Sequence, residues 1–370
     1  MAIYMDHAAT TPISDIALAE FNKHLKQIGN PSSLHNFGRE QRRVLEESRE
    51  QIAKFIDSHP SEIIFTASGT EADNLAIKGL FWKSGKKLIV ISGFEHKAVL
   101  EPAEWLVEKE GAELIQIPII KEGIIDLDFL KELVKKRGSE IALISVMHSN
   151  NEIGALQPID EVIRIAGEIP VHCDAVQSLL KVPVTFKGLT ALSLSAHKVG
   201  GPVGVGALVL KKGLDIPALL HGGGQEREIR SGTINTAAIC AFAAALTSYP
   251  SVEISKLRDQ LIAGIKTSIP GALINTPENA LPGIVNVSFP GTKGETLLLL
   301  MDMEGIACST GSACSAGVHR PSHVLIALGR SEEEAIGTLR FSLGAQSTQE
   351  DVEKVLSVLP AIVEKAMQAK

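Results

Sequence analysis

The sequence predicts an α/β protein. A large domain, with a mainly parallel seven-stranded sheet sandwiched by helices, is followed by a smaller α+β domain. Three observations carry this. Short β-rich runs alternate with longer amphipathic stretches up to about residue 250. Several runs are apolar throughout, as in strands buried on both faces of a parallel sheet. The rhythm then changes after Tyr249-Pro250. The expected boundaries are 14–252 for the large domain, and 1–13 with 253–370 for the small one.

Taken in order, the strands of the large domain are Ile63 to Thr66, Lys87 to Ser92, Glu113 to Ile117, Ile141 to Met147, Pro170 to Cys173, Ala191 to Leu194 and Val205 to Leu210. Between them, Lys97 to Lys109 and Leu127 to Lys136 show the apolar spacing of surface helices. In the small domain, helix Glu253 to Ser268 stops at Pro270-Gly271, and Ile284 to Phe289 reads as a strand. A short helix runs from Ser322 to Leu328. Ser331-Glu332-Glu333-Glu334 is a capping box opening another. Thr338 to Leu343 is a strand, and Gln349 to Lys370 a closing helix that Pro360 should kink.

The 370 residues suffice for two cores. The formal net charge is −7, with 36 Lys and Arg against 43 Asp and Glu, and no basic block stands out. Nucleic acid and anionic membranes are therefore not expected partners. The N-terminus lacks a basic start followed by a long apolar run, so no secretory signal is expected. Apolar runs are strand-sized, too short to span a membrane. Four cysteines in a chain this long form no disulfide framework, and a reducing cytoplasm with free thiols is expected. Cys173, Cys240 and Cys308 lie in apolar surroundings and read as core thiols.

Five segments carry candidate chemistry. Ser193-Leu194-Ser195-Ala196-His197-Lys198 puts a lysine just past an apolar strand, before the glycine-rich turn at Gly200. A desolvated amine there suits Schiff-base chemistry, although most strand-end lysines face solvent. Asp174 ends another apolar strand, with Gln177 three residues on. A buried carboxylate needs a cationic partner such as a pyridinium nitrogen, or else caps the following turn. Ser68-Gly69-Thr70-Glu71 opens a helix whose free N–H groups suit a phosphate, or is an ordinary cap. His96 follows a strand and is placed to stack on a flat ring or shuttle protons, or is structural. Cys314 sits among small residues in a Gly/Pro-containing stretch, which suits a nucleophile on a loop. Zinc-like cysteine spacing is absent, so no resident metal is expected.

These motifs occur in a specific order with Asp6-His7-Ala8-Ala9-Thr10-Thr11-Pro12, Gly29-Asn30-Pro31-Ser32-Ser33, Asn150-Asn151-Glu152-Ile153-Gly154, His221-Gly222-Gly223-Gly224-Gln225-Glu226, Arg230-Ser231-Gly232-Thr233 and Leu339-Arg340-Phe341-Ser342-Leu343-Gly344. The set spans essentially the whole chain. It resembles the class V aminotransferase-like enzymes of pyridoxal-phosphate fold type I, specifically the cysteine desulfurases of iron–sulfur cluster assembly. The resemblance implies pyridoxal 5'-phosphate as cofactor and L-cysteine as substrate, converted to L-alanine with the sulfur held as a persulfide on Cys314. Lys198 then matches the Schiff-base lysine, Asp174 the partner of the pyridinium nitrogen, Gln177 a contact to the ring hydroxyl, and His96 the stacked imidazole. Thr70, Ser195 and His197 match phosphate contacts. Thr233 matches one that reaches in from a partner subunit, which implies a homodimer. Asn151 and Arg340 match the groups that hold the substrate carboxylate. The implied acceptor is a sulfur-accepting protein such as an iron–sulfur scaffold, with transient cluster contact at Cys314. A selenocysteine lyase or cysteine sulfinate desulfinase of the same fold, or a class V transaminase, are the alternatives.

Overall fold

The computed structural model describes residues 2–247, 252–311 and 321–369. After a two-residue strand β1 (Ile3–Tyr4) come helices α1 (Asp15–Leu25) and α2 (Asn36–Phe55). Then β2 (Ile63–Thr66), α3 (Gly69–Ser84), β3 (Leu88–Ser92), α4 (Lys97–Glu110), β4 (Glu113–Ile117), α5 (Leu127–Arg137), β5 (Ile141–Ser145), α6 (Ile159–Ala166) and β6 (Val171–Asp174) alternate. Strands β7 (Ala191–Ser195) and β8 (Gly206–Leu210) and helix α7 (Thr236–Ala245) follow. Every run read as a strand before residue 211 joins one seven-stranded sheet, ordered β2-β8-β7-β6-β5-β3-β4. Its neighbours pair in parallel except that β8 runs antiparallel to both β2 and β7.

The unbroken apolar strands are explained by burial on both faces. In β3, Leu88 and Val90 pack into one core cluster with Ile52, Phe65 and Phe242. Their neighbours Ile89 and Ile91 pack into another with Leu75, Phe81 and Leu208. Each such side chain removed from water contributes about 1.5–3 kcal/mol. Gly206 is needed for close approach: a Cβ there would lie 2.6 Å from the carbonyl carbon of Ser68, where β8 passes under the entry to α3.

A second, three-stranded antiparallel sheet is ordered β12-β10-β9, from β9 (Leu273–Ile274), β10 (Ile284–Ser288) and β12 (Thr338–Ser342). Helices α8 (Val252–Ser268), α9 (Gly294–Met303) and α12 (Gln349–Gln368) accompany it. Its core joins Val285, Val287, Phe289, Leu339 and Phe341 to Val352, Val355 and Leu359 of α12. Helix α12 continues through Pro360, so the missing donor of the proline does not end it. Strand β11 (Ile306–Ala307) pairs in parallel with β1, and Asp6 bridges to Ser342. The N-terminal motif is thereby tied to the second sheet. The short helices α10 (His323–Ala327) and α11 (Glu332–Ile336) follow residue 320, and α11 has the capping box read from the sequence.

Candidate active site

Ligands bind at the carboxyl ends of parallel strands, where loops diverge and helix N-termini face inward. Here β3, β5, β6 and β7 deliver, just past those ends, His96, Asn151, Asp174 and Lys198. All four line one cavity of about 490 Å³, together with Thr70, Gln177, Ser195, His197 and Arg340. The sequence placed these nine residues in six segments far apart in the chain, and the fold brings them around one cavity.

The Lys198 ammonium donates to the carbonyls of Ala8 at 2.5 Å and Ala9 at 2.6 Å. Burial, then the positive charge of Arg340, lower its pKa to about 8, against the pull of Asp6 and Asp174. A lysine so placed is neutral in about a tenth of molecules at pH 7, far more than an ordinary lysine, and nucleophilic or basic chemistry requires that form.

Asp174 resolves two readings at once. Its Oδ1 accepts from the Val176 N–H at 2.8 Å, which is the turn cap. Its other oxygen is left for the cavity. Burial raises the pKa of Asp174, with His96 and Lys198 opposing, so a cation arriving at this carboxylate would be strongly favoured. His96 likewise does two jobs. Its Nδ1 accepts from the Ala98 N–H at 3.1 Å and caps α4, which leaves the proton on Nε2. Burial lowers its pKa, so the ring is held neutral.

One end of the cavity is built for an anion. Ser68 caps α3 through its hydroxyl, and Gly69 and Thr70 begin the helix. A Cβ on Gly69 would come within 2.7 Å of Val176 Cγ2, so only glycine lets the helix start this close to the Asp174 turn. Ser195 Oγ is buried with no partner. His197 Nδ1 lies 3.1 Å from Thr10 Oγ1, and burial brings its pKa down to about 4. A helix N-terminus, two hydroxyls and an imidazole are groups of the kind that would suit a phosphate.

At the opposite end Arg340 donates to Asp6 Oδ1 at 2.7 Å and to the Asn151 carbonyl at 2.9 Å. Its Nε is buried and unpartnered. Asn150 and Asn151 divide their labour. Asn150 Oδ1 accepts from the Glu152 and Ile153 N–H groups, which shapes the turn, while Asn151 lines the cavity. Thr233 is exposed and does not line this cavity. Its loop is fixed through Arg230, whose Nε donates to Glu71 of α3 at 2.7 Å. Cys314 lies outside the described residues. Gly311, three residues before it, lines the cavity. Cys173, Cys240 and Cys308 are buried and free.

Several residues at the site carried no usable sequence signal. Asp73, one turn after Thr70 on α3, lines the cavity with Oδ1 buried and unpartnered. Burial and the nearby Asp174 raise its pKa well above the usual range. It lies 3.5 Å from His172 Nε2, but this is no ion pair, because burial takes His172 down to about 3. Glu95 accepts from Ser92 at 2.6 Å and from the Met147 N–H at 2.7 Å, and burial pushes it up to about 8. Glu152 accepts from Ser322 at 2.5 Å. Adjacency to His96 and Thr70 was the only hint for Glu95 and Asp73; their burial is a property of the fold.

The residues present fit pyridoxal phosphate. The orphaned Ser195 hydroxyl and the α3 N-terminus suit its phosphate, and the free oxygen of Asp174 suits a pyridinium N–H. Comparison with known proteins agrees. The chain is 44% identical, over 99% of its length and 97% of the relative's, to an IscS-like cysteine desulfurase of Mycobacterium tuberculosis. It is 45% identical, over 98% of its length and 95% of the relative's, to the cysteine desulfurase IscS of Dictyoglomus turgidum. A solved NifS-like protein superposes with a TM-score of 0.90 at 37% identity, covering 99% of this chain and 100% of that one. A structure of SspA in complex with cysteine superposes at 0.83 with 34% identity, covering 94% of this chain and 100% of that one. The aminotransferase class-V pattern matches residues 3–355. With motif order, fold and cavity in agreement, the chain belongs to the class-V aminotransferase family, whose members depend on pyridoxal phosphate.

Proposed function

We propose that the residues of the 490 Å³ cavity divide the work of a cysteine desulfurase among them. The activity itself, L-cysteine to L-alanine with transfer of sulfur, is that of the chain's full-length relatives. The observation that carries the division of roles is the pairing of a low-pKa lysine with a buried carboxylate across one cavity, between an anion cradle and an arginine.

Pyridoxal phosphate, when bound, withdraws electrons from the amino acid's Cα and so makes Cα–H and Cβ–S cleavage feasible. Thr70, Ser195 and His197 would hold its phosphate, Asp174 would pair with its ring nitrogen, Gln177 would donate to its ring oxygen, and His96 would pack on the ring. Thr233 of a second copy completes the phosphate site, which makes the working unit a homodimer. Arg340 and Asn151 clamp the substrate carboxylate. Lys198 Nζ takes the proton from Cα and returns it during the cycle. His96 Nε2 exchanges a proton with the substrate sulfur. The Cys314 thiolate accepts the sulfur atom, so that cysteine and a thiol become alanine and a persulfide with atoms and electrons conserved. The persulfide then passes to a sulfur-accepting protein, for which an iron–sulfur scaffold in the cytoplasm is the reading we favour. Residues 14–252 act as the cofactor-binding domain, and 1–13 with 253–370 as the domain that carries Arg340 and Cys314.

The test is the intact mass of the holoenzyme after brief exposure to L-cysteine without reductant. A gain of one sulfur atom, mapped to Cys314, is the expected result. No gain in protein that makes alanine would remove Cys314 from the mechanism. No alanine at all would overturn the substrate.

A further inference from the structure

After β6 the chain turns back sharply. The Leu179 N–H donates to the Ala175 carbonyl, and the Lys181 and Val182 N–H groups donate to Ser178. Leu180 has φ of +67°, a left-handed conformation that a branched side chain avoids unless its surroundings impose it. The turn brings Lys181 Nζ to 3.2 Å from Gln177 Oε1. On its other side, Gln177 Nε2 donates to the Ala8 carbonyl at 2.8 Å. That same carbonyl accepts from Lys198.

Lys181 is an odd residue to find here. Among the described residues no carboxylate pairs with it, and its charged neighbours Lys198 and Arg340 repel it. Together with burial they bring it down to about 7. Lys181 is half-buried, and it reaches the amide of Gln177 rather than a carboxylate for a reason.

The reason lies in the chemistry of a glutamine. Its amide has a donor end and an acceptor end of nearly the same shape, and either fits the same space. In its protonated form, donating to Gln177 Oε1, Lys181 can only donate, and a backbone carbonyl only accepts. The two together permit one orientation of Gln177: Oε1 toward Lys181, Nε2 toward Ala8. A flipped amide would set N–H against ammonium and oxygen against carbonyl. In the allowed orientation one N–H is committed to Ala8 and the second is available to an acceptor in the cavity, which Gln177 lines.

We infer that Lys181 is a positioning residue: outside the cavity wall, it fixes the amide orientation of Gln177 and thereby presents an N–H to the cofactor's ring oxygen. This rests on the reading of Gln177 given above. The experiment compares holoenzyme of the wild type, Lys181→Met, Lys181→Arg, Gln177→Leu and the double variant Gln177→Leu/Lys181→Met. The readouts are the visible absorbance band of the bound cofactor and its dissociation constant. Lys181→Met should shift the band in the same direction as Gln177→Leu and weaken cofactor binding about three- to tenfold, as for loss of one oriented hydrogen bond. Lys181→Arg should restore both. The double variant should match Gln177→Leu alone, because Lys181 acts only through Gln177. If Lys181→Met does not fold, Lys181→Gln is read in the same way. A changed band in Gln177→Leu beside a wild-type band and affinity in Lys181→Met overturns the inference alone, as does additivity in the double variant. A wild-type band in Gln177→Leu overturns the reading of Gln177 and the inference with it.

Discussion

Two regions of the molecule bury polar side chains, and they treat them in opposite ways. In the three-stranded sheet, Asn275 Nδ2 donates to Asn286 Oδ1 and Ser288 Oγ at 2.8 Å each. Ser288 lies 2.8 Å from Thr338 Oγ1, and Arg330 donates to Asn275 Oδ1 at 2.7 Å. The Asn286 N–H donates to Thr276, and its amide to the Glu152 carbonyl. None of these atoms is orphaned. Around the cavity, by contrast, Asp73 Oδ1, Ser195 Oγ and Arg340 Nε are buried without partners, as are His7 Nδ1 and Glu95 Oε2 beside it. A satisfied network fixes strand register and rigidity. An unsatisfied one costs stability and is kept where a ligand supplies the missing partners. The difference separates structure from function more sharply than burial does, since both regions are equally buried.

The comparison breaks most visibly at Lys198. Lys198→Ala should lower alanine formation from L-cysteine by about 10³-fold or more and remove the visible band of bound cofactor, while the melting temperature stays near that of the wild type. Retained colour would take Lys198 out of the site. At Arg340 the loss is smaller. Arg340→Lys keeps the charge but not the planar fork that serves Asp6 and Asn151 and, on the proposed roles, would also take a substrate carboxylate. Steady-state assays should show KM for cysteine rising about 10- to 100-fold, with a lesser change in kcat. An unchanged KM would move the carboxylate elsewhere.

In the satisfied network the outcome should reverse. Asn275→Ala removes one partner each from Asn286 Oδ1, Ser288 and Arg330, and should destabilise the protein by about 2–4 kcal/mol in thermal or urea unfolding. Turnover per folded molecule should hold. A loss of turnover without a loss of stability would mean that the two regions are not separable in this way.

The smallest effect concerns Glu95. Its folded pKa is about 8, raised from an ordinary carboxyl value of about 4.5 by burial. The native state therefore binds its proton more tightly than the unfolded chain does. Its contribution is fully present below about 4.5 and is lost as pH rises through about 8. Glu95→Gln should flatten that decline by on the order of 1–3 kcal/mol in cofactor-free protein, read as melting temperature against pH. Parallel curves for the two proteins would show that Glu95 is ionised in the fold.

Much of this was legible in the primary structure because it depends on local pattern. Seven β-rich runs marked seven strands, several of them apolar throughout, since a strand buried on both faces cannot alternate. Ser331 to Glu334 marked a helix start, since the capping box is a contact within four residues. Lys198, Asp174, His96 and Thr70 were legible as strand-end and helix-start residues, and for two of them the structural role read from the sequence coexists with a place in the cavity wall. Asp174 and His96 each cap a turn with one atom and face the cavity with another.

The sequence by itself determined the class of fold, the family and which motifs line the cavity, because those follow from periodicity and from motifs a few residues long. Only the tertiary structure decided how those groups are tuned. Lys198 meets Ala8 and Ala9 across 190 and 189 residues, and Arg340 meets Asp6 across 334. Glu95 and Asp73 acquire raised pKa values, and Gln177 its bond to Ala8 across 169 residues, only when strands and helices close over them. Desolvation and long-range contact are properties of the packed chain, and no local stretch of sequence contains them.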